Sequence, residues 1–317
     1  MAKKLFTRAL AATVALALLA VTTACTAKAR VHFTPQAEPL NVVVSIPVWA
    51  NIIEQIGGRF VAVKSVIHSS MQDPHSYSAS ARDQLLVNQA DITFNNGLGY
   101  DDFFSALAKA SPNLDQRLKL HAWCEAECAL MAKGGGYRDS ILTMNPHVWF
   151  HLASTASTVK HTAAALESAL SSTAGKAVIQ AGEQRMLSEI SKLQKIERVS
   201  RATTKGKGAL VTEGFAAYLV KDLGMKNVTP VSFRNAVENE ADAAPSVMNQ
   251  LRKQILGHGV AVVITNKLTD TAQTGQLVAW AKQSGVPVLN LTESLPKGQS
   301  YSHWMASNIK KIATAVK

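Results

Sequence analysis

The chain has 317 residues, of which 47% are hydrophobic, and its formal net charge is +11 at pH 7. That length is too great for one small core, so we expect two domains. Lys and Arg are scattered along the sequence rather than clustered, which argues against a nucleic-acid-binding protein and favours attraction to anionic lipid headgroups or wall polymers.

The first residues have the layout of a secretory signal. Lys3, Lys4 and Arg8 precede an apolar stretch over residues 9–21, and small residues then lead to Cys25. The apolar stretch is too short to cross a membrane as a stable helix, so we predict a cleaved signal peptide over residues 1–24. A Cys at this place resembles the acceptor of bacterial lipoproteins, which predicts a lipid anchor and tether over residues 25–38. The alternative is a plain cleaved signal with an incidental Cys.

The predicted export also sets what we expect of the solubility, location and cysteines of the mature protein. No second apolar stretch of about 18 residues follows, so we expect a mature protein that is soluble apart from its anchor. It would lie at the outer face of the cell membrane or in the periplasm, where nucleic acid is not a partner. An oxidising compartment favours a local disulfide between Cys124 and Cys128. The alternative is that both are soft metal ligands near His121.

The first half of the chain alternates strand and helix patterns. The β-branched run NVVVSI at 41–46 predicts a buried strand, and the helix that follows it stops at Gly57-Gly58. In chain order, the predicted elements are strand 41–46, helix 47–56, strand 60–67, helix 80–90, strand 91–94 and helix 100–110.

A long helical region then separates this half from a second strand–helix series. Residues 120–145 are rich in Gly and predict a loop, whereas residues 154–200 carry almost no strand signal and end in a helix over 177–199. Residues 203–208 read as a linker. The elements predicted after it are strand 209–212, helix 216–223, helix 246–256, strand 260–265, helix 274–283, strand 286–291 and helix 303–316.

This rhythm predicts an α/β protein of two lobes, each a parallel sheet flanked by helices, with helical material between them. We place the N-terminal lobe at 39–170, the linking helix at 171–202 and the C-terminal lobe at 203–317.

Two histidines are held on stiff loops. His75 follows Asp73-Pro74, and His147 follows Asn145-Pro146. Proline fixes its own φ and restricts the residue before it, so each imidazole is presented by a rigid segment. A single exposed loop His usually has no function, but two Pro-His pairs at the ends of predicted elements favour ligands for a transition metal.

Two carboxylates stand where such a site would need them. Glu213 follows the predicted strand 209–212, and Glu293 follows the strand 286–291. In an open α/β sheet, ligands bind at the carboxyl ends of strands. Both residues could instead be acids that stabilise the first turn of a helix.

The chain resembles the manganese/zinc class of periplasmic substrate-binding proteins from about residue 41 to its C-terminus. Five segments carry the resemblance: VVVSIPVWANIIEQIGGRFVAV, DPHSYSASARDQLLVNQADITFNNGLGYDDF, NPHVWF, TEGFAAYLVKDLGM and GVPVLNLTESLPKGQSYSHWM. The resemblance implies two lobes joined by a long rigid helix, with the metal in the cleft between them. It implies four metal ligands: His75, His147, Glu213 and Glu293.

The sequence departs from that family in two respects. Glu293 stands where the family usually has Asp, and its extra methylene leaves Asp270 or His303 as alternative fourth ligands. The His-rich acidic loop of many zinc-binding members is absent. Two imidazoles and two carboxylates suit Zn²⁺, Mn²⁺ or iron, whereas Ca²⁺ and Mg²⁺ prefer all-oxygen sites.

The function we predict is capture of zinc or manganese outside the membrane for an ABC importer. The partners would be the membrane permease and, through Cys25, membrane lipid, and the protein would be a monomer and not an enzyme. The alternative is a secreted metallohydrolase that uses the same residues with one open coordination position. The sequence has no H-E-x-x-H motif and no G-x-S-x-G elbow, which weighs against a hydrolase.

Overall fold

The structure is a computed structural model, and it describes residues 39–70, 72–74, 76–112, 118–122 and 145–317. The predictions for the signal peptide, Cys25, His75, Cys124 and Cys128 fall outside these residues. Among the helices that are described, none is long and apolar enough to cross a membrane.

The first sheet has four parallel strands in the order β2-β1-β3-β4. Strand β1 lies in the middle and is buried on both faces, which is why its sequence LNVVV is almost entirely apolar. The elements of this half are β1 (Leu40–Val44), α1 (Pro47–Gly57), β2 (Val61–Ser65), α2 (Ala81–Asn88), β3 (Ile92–Asn95), α3 (Asp102–Lys109) and β4 (Leu118–His121).

The second sheet also has four parallel strands, in the order β6-β5-β7-β8. Before it come two long helices, α4 (Leu152–Ala169) and α5 (Thr173–Thr204). The remaining elements are β5 (Gly208–Val211), α6 (Ala217–Asp222), β6 (Lys226–Asn227), α7 (Val231–Glu238), α8 (Pro245–Leu256), β7 (Val262–Asn266), α9 (Ala272–Gln283), β8 (Val288–Leu291) and α10 (Tyr301–Ala315). The predicted fold class, two parallel sheets flanked by helices and linked by a long helix, is therefore confirmed.

Two strands and one α-helix of the described residues were absent from the sequence prediction. Strands β4 and β6 are short edge strands, the first partly exposed and the second fully exposed, so neither has the apolar run that marks a buried strand. Helix α7 follows Pro230 with only two buried residues, Phe233 and Val237. The predicted linker at 203–208 was also too long, because α5 extends through Thr204 and β5 begins at Gly208.

Helix α5 packs against α1, α4 and α10, so helices from both ends of the chain lie along it. Its contact with α1 depends on a glycine. A Cβ on Gly182 would lie 2.1 Å from the backbone oxygen of Ile56, which only a residue without a side chain allows. The linking helix is therefore held by tertiary packing along its length.

Candidate functional site

The carboxyl ends of three neighbouring strands bring polar side chains together in the second lobe. Glu213 lies just after β5, Asn266 is the last residue of β7, and Glu293 lies just after β8. Because β5, β7 and β8 are adjacent and parallel, these side chains meet at one edge of the sheet. The amide nitrogen of Asn266 donates to Glu213 Oε2 (3.3 Å) and to Glu293 Oε2 (3.0 Å).

The first lobe adds His147 to this pair of carboxylates. His147 is 2% exposed, and its Nε2 lies 3.2 Å from Glu293 Oε1. A short 3₁₀ helix (Val148–Phe150) follows it, and the carbonyl of Pro146 accepts a hydrogen bond from the amide of Asn96 (2.9 Å). The predicted role of Pro146 in presenting His147 from a firmly held loop agrees with these contacts.

Asn145 fixes the orientation of the imidazole. Its Oδ1 lies 2.6 Å from His147 Nδ1 and 3.1 Å from the backbone nitrogen of His147, while its Nδ2 donates to the carbonyl of Gly214 at 2.5 Å. An acceptor at Nδ1 places a proton on that nitrogen and leaves Nε2 directed at Glu293. One side chain therefore ties a histidine of the first lobe to the backbone beside Glu213 in the second.

Aromatic rings enclose the buried part of the site. Trp149 packs edge-on against His147 with ring centroids 5.3 Å apart, and its indole N–H donates to the carbonyl of Glu293 (3.1 Å). Tyr100 packs edge-on against both rings, and its hydroxyl donates to Glu293 Oε1. These rings exclude water, which strengthens electrostatic interactions inside the site.

Electrostatics at this edge of the sheet favour a cation. Burial is the main cause that raises the pKa of Glu213 to about 7, and this net value includes an upward contribution from the charge of Glu293 and downward contributions from the hydrogen bonds of Thr269 and Asn266. Burial also holds the pKa of Tyr100 well above its usual range, with the charge of Glu293 as the second cause. A divalent cation would compensate two carboxylates that are now costly to keep ionised together.

A cavity of about 550 Å³ opens onto the site, and carboxylates line it. His147 and Glu213 contribute to its wall. The other acidic residues that line it are Asp73, Glu238, Glu240 and Asp270. A cavity lined by carboxylates concentrates cations near its floor.

The structure describes three of the four predicted ligands. His147, Glu213 and Glu293 converge, whereas His75 is not described, although its neighbours Asp73 and Ser76 line the cavity. The two alternative ligands are less well placed. Asp270 is exposed at the mouth of the cavity, and His303 lies on a separate groove with Lys310 and Lys311.

The described part of the site is arranged as a hydrogen-bonded cluster. Among the described residues, which leave out His75, no three His, Cys, Asp or Glu side chains converge closely enough to hold a metal ion as they stand. Glu213 and Glu293 are instead held by donors, since Tyr100 binds one oxygen of Glu293, Thr269 binds one of Glu213, and Asn266 bridges the two residues.

Sequence reasoning missed three of these partners. Asn266 is the last residue of a strand, and Glu213 also lies at the end of a strand. The rule that ligands bind at strand ends could therefore have found Asn266 as well. Tyr100 carried no such signal, because its contact with Glu293 joins residues 193 positions apart. Thr269 lies on a 3₁₀ turn (Lys267–Thr269) that the sequence did not predict.

Comparisons with known proteins agree on one family. The family model described as zinc-uptake complex component A periplasmic (ZnuA) matches residues 42–315. The metal ABC transporter substrate-binding lipoprotein SloC of Streptococcus mutans is 24% identical, over 92% of this chain and 94% of that protein. The iron ABC transporter substrate-binding lipoprotein MtsA of Streptococcus pyogenes is 22% identical, over 88% of this chain and 90% of that protein.

Solved structures share the fold. A crystal structure of ZnuA superposes with a TM-score of 0.67 at 18% identity, covering 88% of this chain and all of that one. FpvC of Pseudomonas aeruginosa in complex with Mn²⁺ superposes with a TM-score of 0.69, also at 18% identity, covering 88% of this chain and 99% of that one.

Proposed function

The chain belongs to the ZnuA family of periplasmic zinc-uptake components, and on that premise we propose that it captures a divalent transition metal outside the membrane for an ABC importer. The observation that carries the proposal is the meeting of His147 from the first lobe with Glu213 and Glu293 from the second. An imidazole and two carboxylates that converge from opposite sides of a cleft are the donors a transition metal prefers.

The ligand set of the proposal is His75, His147, Glu213 and Glu293. His75 is included because it follows Asp73-Pro74 and its neighbours Asp73 and Ser76 line the same cavity as His147. Four protein ligands would close around the ion and leave no water to activate, which separates a capture site from a catalytic zinc site. The family is one of substrate-binding proteins, and we propose that this member is no enzyme.

When a metal binds, coordination bonds to the ion would replace the protons and hydrogen bonds that the imidazole and the carboxylates now have. With Nδ1 of His147 bound to Asn145, the lone pair of Nε2 is available to a metal. The hydrogen bonds that Asn266, Tyr100 and Thr269 now donate would weaken as Glu213 and Glu293 turn their oxygens towards the ion. Ligands must be deprotonated to bind, so loading would release the proton that the raised pKa of Glu213 favours near neutral pH.

Zinc or manganese is the cargo that we propose. Similar proteins include a ZnuA variant with zinc bound and FpvC with Mn²⁺ bound, while MtsA is named for iron. A site with two imidazoles and two carboxylates accepts any of these ions, and intrinsic affinity rises along the series towards zinc. Supply outside the cell would then select the metal.

The location, lipid anchor and membrane partner that we propose follow from the same family membership. We propose that residues 1–24 are a signal peptide, that Cys25 carries the lipid anchor and that the monomer delivers its metal to a membrane permease. Curated relatives such as SloC are named lipoproteins of metal ABC transporters. The lobes would divide at 39–170 and 203–317, with residues 171–202 as the linking helix.

Metal titration of residues 26–317 tests the proposal. The protein is stripped of metal and titrated with Zn²⁺ and Mn²⁺ by calorimetry, alone and as His147→Ala. We expect one ion per chain and a large rise in melting temperature, both lost in His147→Ala, because a ligand that binds only the folded state stabilises it. The control is His161→Ala, since His161 is exposed on α4. Absence of binding by the unmodified protein would contradict metal capture, and one open, water-filled coordination position would instead support the hydrolase alternative.

A further inference from the structure

One face of helix α5 carries only positive charge. Arg185, Lys192, Lys195 and Arg198 are all exposed on this helix, and we call them, together with Val199, the basic face. The buried side of α5 packs against α1, α4 and α10, so the basic face points away from the protein. The cations are not adjacent in the sequence, and the helix brings them to the same exposed side.

The helical period explains the alignment. Positions 185, 192 and 199 recur every seven residues, which returns to nearly the same side of a helix with 3.6 residues per turn. From Arg185 to Val199 the face extends about 21 Å, at a rise of about 1.5 Å per residue. The other exposed residues between Arg185 and Val199, apart from the cations, are the neutral Ser188 and Ser191.

The acidic residues of α5 are directed elsewhere. Glu183 and Glu189 are half-buried, Glu197 is buried, and the carboxylate of Glu189 accepts a hydrogen bond from Ser302 on α10. Among the described residues, no ion pair engages the four cations of the basic face. The charges of Arg185, Lys192 and Lys195 are therefore available to an external partner, whereas Arg198 also lies beside the buried Glu197.

The basic face also presents an apolar side chain. Val199 is 69% exposed, the largest fraction among the exposed large hydrophobic residues that the structure describes. Clusters of four or more Lys and Arg residues on a helix are typical of surfaces that attract anionic lipid headgroups. A flat helix face does not enclose a small ligand.

We propose that the basic face docks α5 against an anionic lipid bilayer. The inference rests on the proposed function in one respect, since the lipid anchor would hold the protein at that surface. Anionic headgroups attract Lys and Arg within about a Debye length of roughly 8 Å at physiological salt, so an anchored protein would settle with this face towards the lipid. The proposed metal ligands take no part in the contact.

Vesicle binding of residues 26–317 tests the docking surface. Residues 35–317 form one compact unit, so this chain retains every described element but lacks the anchor. Binding is measured by co-sedimentation with phosphatidylcholine vesicles that contain one quarter phosphatidylglycerol, and with pure phosphatidylcholine vesicles. We expect binding only to the anionic vesicles, weakening as salt is added.

The decisive variant removes three cations, Arg185→Gln, Lys192→Gln and Lys195→Gln, and leaves Arg198 in place. Its matched control removes one Arg and two Lys from exposed positions of the second lobe: Arg252→Gln, Lys253→Gln and Lys282→Gln. We expect the first variant to bind the anionic vesicles about tenfold or more weakly, and the control to retain most of the affinity.

Each remaining outcome counts against the proposal. Equal losses in the two variants would mean that net charge alone drives binding, and no binding by the unmodified chain would mean that the basic face does not recognise lipid. If vesicle binding is absent while metal delivery in cells still needs the three cations, the face contacts the permease instead. Zinc titration and melting temperature of both variants should match the unmodified chain, so failure here is distinguishable from failure of the metal-capture proposal.

Discussion

Two clusters in this molecule contain the same chemical groups, one imidazole and two carboxylates, but they are built differently. The first lies in the cleft between the lobes, and the second lies where α4, α5 and α6 meet. Their members are His147, Glu213 and Glu293 in the cleft cluster, and His151, Glu197 and Asp222 in the junction cluster. Only four positions separate the two histidines in the sequence.

The cleft cluster has a donor for each carboxylate and a cavity lined by acids. Hydroxyls of Tyr100 and Thr269 and the amide of Asn266 bind Glu213 and Glu293. Negative charge dominates the cavity above them. These charges favour a cation as the partner of this cluster, in line with the proposed function.

The junction cluster already has cations beside it. Arg198 and Arg201 line its cavity of about 270 Å³, where His151 Nε2 lies 4.0 Å from Asp222 Oδ2. Glu197 Oε1 is buried without a hydrogen-bond partner among the described residues. The difference teaches that the same residue types can lie in opposite electrostatic surroundings, and under the proposed function only the surroundings of the cleft cluster favour a metal ion.

The largest expected effect distinguishes the two histidines. His147→Ala removes a proposed ligand, so we expect zinc affinity to fall by about a thousandfold or more, whereas His151→Ala should change it by less than about threefold. Calorimetric titration of both variants measures the contrast. Comparable losses in the two would show that the clusters are not functionally distinct.

The second largest expected effect is a pH-dependent change in folding stability that arises in the junction cluster. Burial, helped by the charge of Asp222 and opposed by Arg201 and Arg198, raises the pKa of Glu197 to about 8. A folded pKa above the unfolded value of 4.5 means that stability is full below pH 4.5 and is lost as pH rises through about 8.

Glu197→Gln cannot ionise, so it avoids the loss of stability at high pH. We expect it to raise the free energy of unfolding of the metal-free protein at pH 9 by about 2 kcal/mol. Near pH 4.5 the two proteins should differ little. Denaturant unfolding at both values measures this, with Glu183→Gln on the same helix as the control. A gain that is equal at both pH values would contradict the assignment of the effect to the ionised Glu197.

A smaller effect tests how the cleft histidine is oriented. Asn145→Ala removes the acceptor at His147 Nδ1 and the tie to Gly214, so we expect zinc affinity to fall by about tenfold, in the range seen when partners of ligating histidines are lost. Nitrogen NMR shifts of His147 should show the Nδ1-protonated tautomer only when Asn145 is present. Asn235→Ala, at an exposed position of α7, is the control.

The smallest expected change concerns the length of the fourth proposed ligand. Glu293→Asp shortens the side chain by one methylene and restores the residue usual in the family, so we expect zinc affinity to change by less than about tenfold. Glu293→Gln, which keeps the length and removes the charge, should cost more. If Asp and Gln weaken binding equally, Glu293 is no ligand and Asp270 at the cavity mouth becomes the candidate.

Much of the fold followed from local patterns. Buried strands such as β1 and β7 contain short β-branched apolar runs, and the long helix α5 has a helix-forming composition with almost no strand signal, so their existence and order were predicted correctly. The edge strands β4 and β6 and helix α7 were missed, because few of their residues are buried. Of the proposed ligands, the resemblance supplied all four, and the described structure brings together His147, Glu213 and Glu293.

The sequence by itself determined the class of fold and the carboxylates that follow strands, and it predicted two stiff Pro-His loops, because each depends on neighbours within a few residues. Only the tertiary structure decided which groups share an environment. It placed Tyr100 against Glu293, set Asn145 between the lobes and left Glu197 Oε1 buried without a donor among the described residues. Those facts arise from contacts between residues far apart in the chain, and burial and charge interactions depend on distance in space rather than on separation in sequence.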